Sequence, residues 1–408
     1  MEESFLHFIW KYQKYNRNDL RTVQAETVSV IHPGFEHTSA GPDFRMARVI
    51  IDRTEWAGAV EIHVRSSDWY RHNHQSDPNY DSVILHVVWT DDRPVRAKGE
   101  RIPTIELESL VPRITLDRWN ELRADMHWIP CEPFLAEIEN SFLWSKHWER
   151  MAIERLEIKQ STWERPLNMN QNHWEETLFQ FIGRAFGLKE NADPMEQLAR
   201  CTTLRIFKRE RGNFAVLKAL YFGQAGWLEG RNKKKWPNAY SVHYAAFRNK
   251  YRLSPMKEHL WKFGGIRPSN FPTVRLEQWL LLYFHTPHLL AQLLELKKLK
   301  DWIDFSQNCI GKGFGKAKGY SLAINTIIPF FFYYGRWSGD LRLQEKALNW
   351  LHDCPKENNR ITRAFGERSV PIRNGMDSQA AIHQFHQYCR PKKCVLCSIG
   401  KKVLNRTE

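Results

Sequence analysis

Two groups of residues in this chain have the types and spacing that chemistry needs. The first lies near the N-terminus. Asp43 closes a Gly41-Pro42-Asp43 turn, and Glu61 and His63 stand two residues apart further on. Residues two apart on a β-strand project from one face. If the strand after Asp43 pairs antiparallel with the strand carrying Glu61, the two carboxylates converge. Converging carboxylates are a site for a hard divalent cation, Mg²⁺ or Mn²⁺. Such an ion activates water and neutralises charge on a scissile phosphate, and His63 is then placed to assist the attacking water. Asp43, Glu61 and His63 are the candidate catalytic residues, with Asp43 and Glu61 as metal ligands. His72 and His74 read as a wet loop within reach of phosphate, with a His63/His72/His74 zinc site as the alternative. The structural reading of the same residues is a turn aspartate and a solvated strand face.

The second group is Cys389, Cys394 and Cys397, three of the seven cysteines packed into nine residues. The Cys394–Cys397 spacing lets two thiolates reach one ion. Zinc wants a fourth ligand, for which the candidates are His386, one helical turn before Cys389, and the remote Cys131. Thiolate count alone does not separate zinc from iron–sulfur. An odd number of cysteines argues against a disulfide framework. Cys201, Cys309 and Cys354 read as ordinary thiols.

The elements that must position the first group read as a compact α/β unit over residues 1–116. A helical stripe covers Glu3–Tyr15. Strands follow at Thr27–Ile31, Phe44–Ile51 and Trp56–Arg65, the last with Val60, Ile62 and Val64 facing one way and Glu61, His63 and Arg65 the other. A short helix or loop, Ser66–His74, leads to the strand Ser82–Trp89, and Arg101–Leu107 closes the unit. From about residue 117 the period turns helical. Residues 117–370 form a basic helical region, with apolar stripes at Trp144–Leu156, Trp174–Phe186, Met195–Phe207, Phe214–Phe222, Val274–Leu296 and Ser321–Tyr334. Residues 371–408 hold a helix, Ser378–Tyr388, and the cysteines. The fold class expected is α+β, with a mostly helical second part and a small Cys-rich metal-binding tail. Arg65, His72 and the Lys233-Lys234-Lys235 run are the candidate phosphate contacts, and Trp69, Tyr70, Trp236 and Tyr240 are candidates for stacking on bases. Gly311–Lys316 has neither the phosphate-loop nor the dinucleotide spacing and reads as a flexible basic loop.

Pro42-Asp43 before one strand, then Glu61-Ile62-His63 on the next, resembles the PD-(D/E)XK nuclease signature. The α-β-β-β-α-β order is similar to that superfamily's core. The resemblance implies Asp43 and Glu61 as metal ligands and His63 in the place of the usual lysine. That exchanges a permanent charge for one present only part of the time near neutral pH. Some members of the superfamily clamp a four-iron cluster with one distant cysteine and three near the C-terminus, which implies Cys131 as fourth ligand of a 4Fe-4S cluster here. The whole chain also resembles an uncharacterised bacterial family of unknown function. The stretches that carry this are Ala40-Gly41-Pro42-Asp43-Phe44, Gly58 to His63, Ser67-Asp68-Trp69, Tyr80-Asp81-Ser82-Val83-Ile84-Leu85-His86, Phe222-Gly223-Gln224-Ala225-Gly226 and the terminal cysteines.

Composition bounds these readings. The chain has 408 residues, 42% hydrophobic and 26% charged, which is ordinary globular material and excludes disorder and collagen-like classes. A net charge of +14 favours polyanionic partners. No apolar segment is long enough to span a bilayer, and Met1-Glu2-Glu3 lacks the basic start of a secretory signal. The expectation is a cytoplasmic, metal-dependent nuclease acting on DNA or RNA, with no membrane partner. The alternative is a non-catalytic nucleic-acid-binding or scaffold protein that retains a degenerate nuclease fold.

Overall fold

The computed structural model describes residues 1–37, 40–124, 126–138, 141–229, 235–311 and 313–406. The chain is α+β and divides into two units: Met1–Glu139 with Gln384–Glu408, and Asn140–His383.

In the first unit, helix α1 (Glu3–Lys11) buries Phe5, Leu6, Phe8, Ile9 and Trp10. After it come strands β1 (Val28–His32), β2 (Phe35–Glu36), β3 (Phe44–Ile51) and β4 (Thr54–Arg65), helix α2 (Asp68–Arg71) and strand β5 (Val83–Thr90). A small hairpin, β6 (Arg96–Ala97) and β7 (Glu100–Arg101), precedes β8 (Thr104–Glu106) and helix α3 (Arg113–Arg123). The main sheet runs β1-β3-β4-β5-β8, with β2 paired to β3. Strands β1, β3 and β4 are antiparallel, while β4–β5 and β5–β8 are parallel. The β3–β4 turn is tight, with Asp52 at φ 53°. Parallel pairing of β4 with β5 needs a longer crossover, and α2 plus the 3₁₀ turns His74–Ser76 and Pro78–Tyr80 supply it. The strand expected over Arg101–Leu107 is split: Arg101 belongs to the hairpin, and pairing with β5 starts only after Pro103, which has no N–H to give.

Strand β4 departs from the alternation read in its sequence. Residues 59–63 are buried without a break, so Glu61 and His63 do not lie on a solvated face. The reason is position. β4 has neighbours on both edges, and α1 and α2 both pack against it.

The C-terminal residues of this unit form a π-helical turn (Phe385–Cys389), a 3₁₀ turn (Cys394–Leu396) and a helix (Ser398–Asn405). Arg118 of α3 donates to the Val403 carbonyl at 2.8 Å and ties that helix down. Gly400 is required there, because a Cβ would sit 2.3 Å from the Cys394 carbonyl oxygen.

The second unit is helical. Its long first helix is Ser141–Met169, and Trp174–Phe186 forms as its stripe predicts. The stripe over Met195–Phe207 is two helices, Ala192–Cys201 and Leu204–Glu210. The stripe over Val274–Leu296 is also divided, into Pro272–His285 and Leu289–Glu295, at Pro287. Trp148, Phe179, Trp279, Tyr283 and Phe330 are buried, so the aromatic stripes are core.

Gly58 marks the closest approach of β4 to the start of β5. A Cβ there would meet Ile84 Cγ2 at 2.5 Å and the Ser82 carbonyl oxygen at 2.6 Å. Gly58→Ala should therefore lower stability by about 1–3 kcal/mol, read as a fall in denaturant midpoint at constant slope. Gly212→Ala, with open space around it, should shift stability by less than about 0.5 kcal/mol.

Candidate metal centre

Phe44 pairs with Val60 across the β3–β4 seam, which brings Asp43 level with Glu61. The Asp43 backbone N–H donates to Glu61 Oε2 at 3.1 Å, and Asp43 Oδ2 accepts from the Ile62 N–H at 2.9 Å. The convergence of carboxylates expected from the sequence is present. They converge beside the three histidines that the sequence offers as an alternative zinc site.

Glu61 Oε1 lies 3.3 Å from His74 Nε2 and 3.6 Å from His63 Nε2. His63 Nε2 is 3.1 Å from His72 Nδ1. One ring nitrogen from each of His63, His72 and His74 falls within 4.8 Å of the other two. In a four-coordinate site with bonds of about 2.0–2.1 Å, neighbouring donor atoms stand roughly 3.3 Å apart. The three separations just given, 3.1, 3.3 and 3.6 Å, lie near that edge length, while the three histidine nitrogens as a set lie within 4.8 Å of one another. Three imidazoles form the candidate ligand group, and the Glu61 carboxylate lies beside two of them, His63 and His74.

Local structure explains how the histidines arrive. Glu61 and His63 share a face of β4. His72 follows α2 directly, and Asn73, in the left-handed conformation that asparagine tolerates, turns the chain before His74. The His74 ring stacks on Tyr80 at 3.7 Å and meets the edge of Trp69. The expected wet loop is therefore corrected: His74 is buried against aromatics, and only His72 is exposed. Trp69 is fully buried against Val95 and Ile102 and is not free to stack on a base. The Tyr70 face is taken by Arg93 at 4.2 Å.

His86 on β5 stands beside Glu61 in the parallel register, and its Nε2 lies 2.8 Å from His63 Nδ1. If His63 presents Nε2 to a metal, its Nδ1 carries the proton and donates to His86, the usual way an outer residue fixes a ligand tautomer. This corrects the role expected of His63. Burial and the neighbouring histidines push it down to about 2. It is a neutral, doubly tethered ring and no substitute for a charged lysine. Burial also holds His86 neutral, at about 3. Burial and the charge of Asp43 push the Glu61 carboxyl up. Burial opposes the charged form of His7, yet its hydrogen bond and attraction to Asp43 Oδ2, 3.4 Å away, raise it.

The centre opens on the His72 side, where Glu3, Arg65, Ser67, Arg71 and His72 line a cleft of about 550 Å³. Arg65 is exposed there as expected. Lys235 is exposed in the second unit, while Lys233 and Lys234 lie outside the described residues.

The cysteines form a second cluster within the first unit. Cys131, Cys389, Cys394 and Cys397 are all buried and free of disulfides. Burial raises the Cys131 thiol well above its usual range, and the charges of the other three cysteines add to that push. Gln384 Nε2 donates to Cys389 Sγ at 3.4 Å and to Cys397 Sγ at 3.2 Å. Cys131 thus stands near the three terminal cysteines. His386 is exposed, with its ring at the edge of Phe385, because the π-helical turn rotates it off the face that carries Cys389.

His86 escaped the sequence reading as a site residue, and His74 entered it only through the alternative His63/His72/His74 zinc site. Their signal was compositional: seven of 17 histidines fall in the first 90 residues.

The chain belongs to the DUF2851 family of proteins of unknown function, which it matches over residues 3–311. That span includes Asp43, Glu61, the histidines and Cys131, and ends before Cys389. No curated protein and no solved structure matches the chain.

The buried imidazoles make a prediction for the metal-free protein. His63 and His86 are neutral when folded and charge near pH 6.5 when unfolded, so between about pH 4.5 and 6.5 unfolding takes up roughly two protons. Glu61 acts in the opposite sense, since its raised carboxyl releases one proton on unfolding. His74, lowered by burial, adds to the uptake and His7, raised beside Asp43, adds to the release, so uptake exceeds release by about one proton. Stability should fall on acidification across that window by about 1.4 kcal/mol per pH unit. Denaturant midpoints in EDTA at pH 7, 6 and 5 test this, and equal values would contradict neutral burial.

Proposed function

We propose that this DUF2851 chain is a metal-dependent nuclease that hydrolyses phosphodiester bonds of DNA or RNA at the Glu61/His63/His72/His74 centre. The observation that carries the reading is a buried carboxylate oxygen and three imidazole nitrogens at metal-ligand spacing, beside Asp43 and open to solvent at His72. The strand order, with an aspartate before one strand and an acid-X-base triplet on the next, supports the resemblance to the PD-(D/E)XK core. The net charge of +14 and the exposed Arg65 and Arg71 at the cleft favour a phosphate backbone as substrate.

When bound, the cation would lower the pKa of a coordinated water and neutralise charge on the scissile phosphate. Glu61 supplies the anionic ligand. Asp43 holds Glu61 through its backbone N–H, and its hydrogen bond and attraction favour the charged form of His7 against burial. His86 fixes the His63 tautomer, and Arg65 and Arg71 orient the phosphate. A donor set this rich in imidazole suits Mn²⁺ or Zn²⁺ better than Mg²⁺. The four buried cysteines are proposed as a separate structural centre, zinc or 4Fe-4S, whose neighbours Arg123 and Lys392 favour thiolate charge at Cys394.

Labelled single- and double-stranded DNA and RNA, incubated with Mn²⁺, Zn²⁺ or Mg²⁺, test the activity. Cleavage should fall at least about a hundredfold in Glu61→Gln and in His74→Ala. His86→Asn should weaken metal affinity roughly 10–100-fold. Arg65→Ala should weaken binding and flatten its salt dependence. Salt-sensitive binding without cleavage, equal in wild type and Glu61→Gln, would instead support the non-catalytic reading. Elemental analysis should find zinc or iron that Cys389→Ser with Cys394→Ser removes.

A further inference from the structure

The second unit contains a cavity of about 300 Å³ lined by Phe186, Lys189, Arg275, Phe314, Lys318 and Asn325, among others. Arg275, on the helix Pro272–His285, is only 5% exposed. Its Nη1 donates to Gln278 Oε1 at 2.9 Å, and its guanidinium lies 5.6 Å from the Phe186 ring centroid. Its buried Nε–H has no acceptor. Among the described residues no carboxylate lines the cavity. Glu277, two positions along the same helix, is engaged with Lys218 at 2.8 Å.

A second cation is held beside it. Lys318 Nζ donates to the carbonyls of Gly313 (3.0 Å) and Ser269 (3.3 Å), neither of which carries charge. Burial lowers both Arg275, to about 10, and Lys318, with the charge of Arg275 adding to the effect on Lys318. A buried charge left unpaired is unfavourable by several kcal/mol. Phe314 and Gly313 belong to the Gly311–Lys316 loop, so a segment with no phosphate-loop spacing nonetheless helps wall a cationic cavity. Asn325 lies in a π-helical turn, Ala323–Ile327, an irregularity that often marks functional positions.

We propose that this cavity binds a small phosphate monoester, with Arg275 and Lys318 on the phosphate and Phe186 and Phe314 against the apolar part of the molecule. Three lining cations without an acid favour a doubly charged phosphate over a single carboxylate. The two phenyl rings, 5.9 Å apart and inclined by 33°, offer a surface to a flat or apolar group. The volume suits a molecule at the small end of the ligand range. The inference is independent of the nuclease reading, since it uses no residue of the metal centre.

The test is calorimetric titration and thermal melting of the full chain with three probes: inorganic phosphate, adenosine monophosphate and ribose 5-phosphate. At least one should bind saturably and raise the melting temperature. Preference for adenosine monophosphate would identify the rings as a base platform, and equal binding of the two esters would assign recognition to the phosphate. Arg275→Gln should weaken binding at least tenfold while leaving the unliganded melting temperature equal or higher, because an unpaired buried charge has been removed. Lys318→Met should weaken binding in the same direction. No saturable binding by any probe, or undiminished binding by both variants, would overturn the proposal. So would a lower unliganded melting temperature in Arg275→Gln with the ligand-induced rise intact, because that is the behaviour of a purely structural arginine.

Discussion

The first unit is organised around a carboxylate taken out of water. Glu61 sits on the one strand that is antiparallel to its neighbour on one edge and parallel on the other. Both relations are needed. The antiparallel side delivers Asp43, because a tight hairpin sets Phe44 opposite Val60. The parallel side delivers His86 in register with Glu61, and it obliges the chain to cross over, which carries His72 and His74 back toward β4. An all-antiparallel sheet with the same strands would have had no crossover and no second and third imidazole.

The parts that were legible in the sequence are those whose cause is local. Strand β3 runs Phe44–Ile51 as its apolar pattern and the preceding Gly-Pro-Asp turn predict, and helix Trp174–Phe186 stops at Gly187. The approach of Asp43 to Glu61 followed from one assumption, antiparallel pairing of adjacent strands. The burial of Glu61 and His63 was not legible, because alternation tells which residues share a face and not what covers it. The burial of His74 was hidden for a related reason: its place depends on a left-handed Asn73 and on a stacking partner, Tyr80, that no periodicity announces. The union of Cys131 with the terminal cysteines is a contact over some 250 residues of chain, beyond any spacing rule. Where helical stripes were divided, as at Pro287, the apolar pattern carried on through a break that proline imposes.

Three places in the molecule share a physical theme. The chain buries an acid at Glu61, four cysteine thiols and a base at Arg275, and at each place burial works against the charged form. Core-forming residues of equal volume would have been easier to accommodate at each place. The side chains gathered at the three places also differ in kind: imidazole with carboxylate, thiol, and guanidinium with ammonium.

The first unit is discontinuous in sequence, and this gives its assembly a direction in time. Synthesis produces the sheet and Cys131 first, then the 244 residues of the helical unit, and only afterwards the segment from Gln384 onward. At ordinary elongation rates of about 5–20 residues per second, the sheet waits roughly 10–50 s for the pieces that complete it. The helical unit is able to fold in that interval as an unbroken stretch of chain. A transcript broken within the helical region would yield a sheet with a lone buried thiol and an uncovered α3.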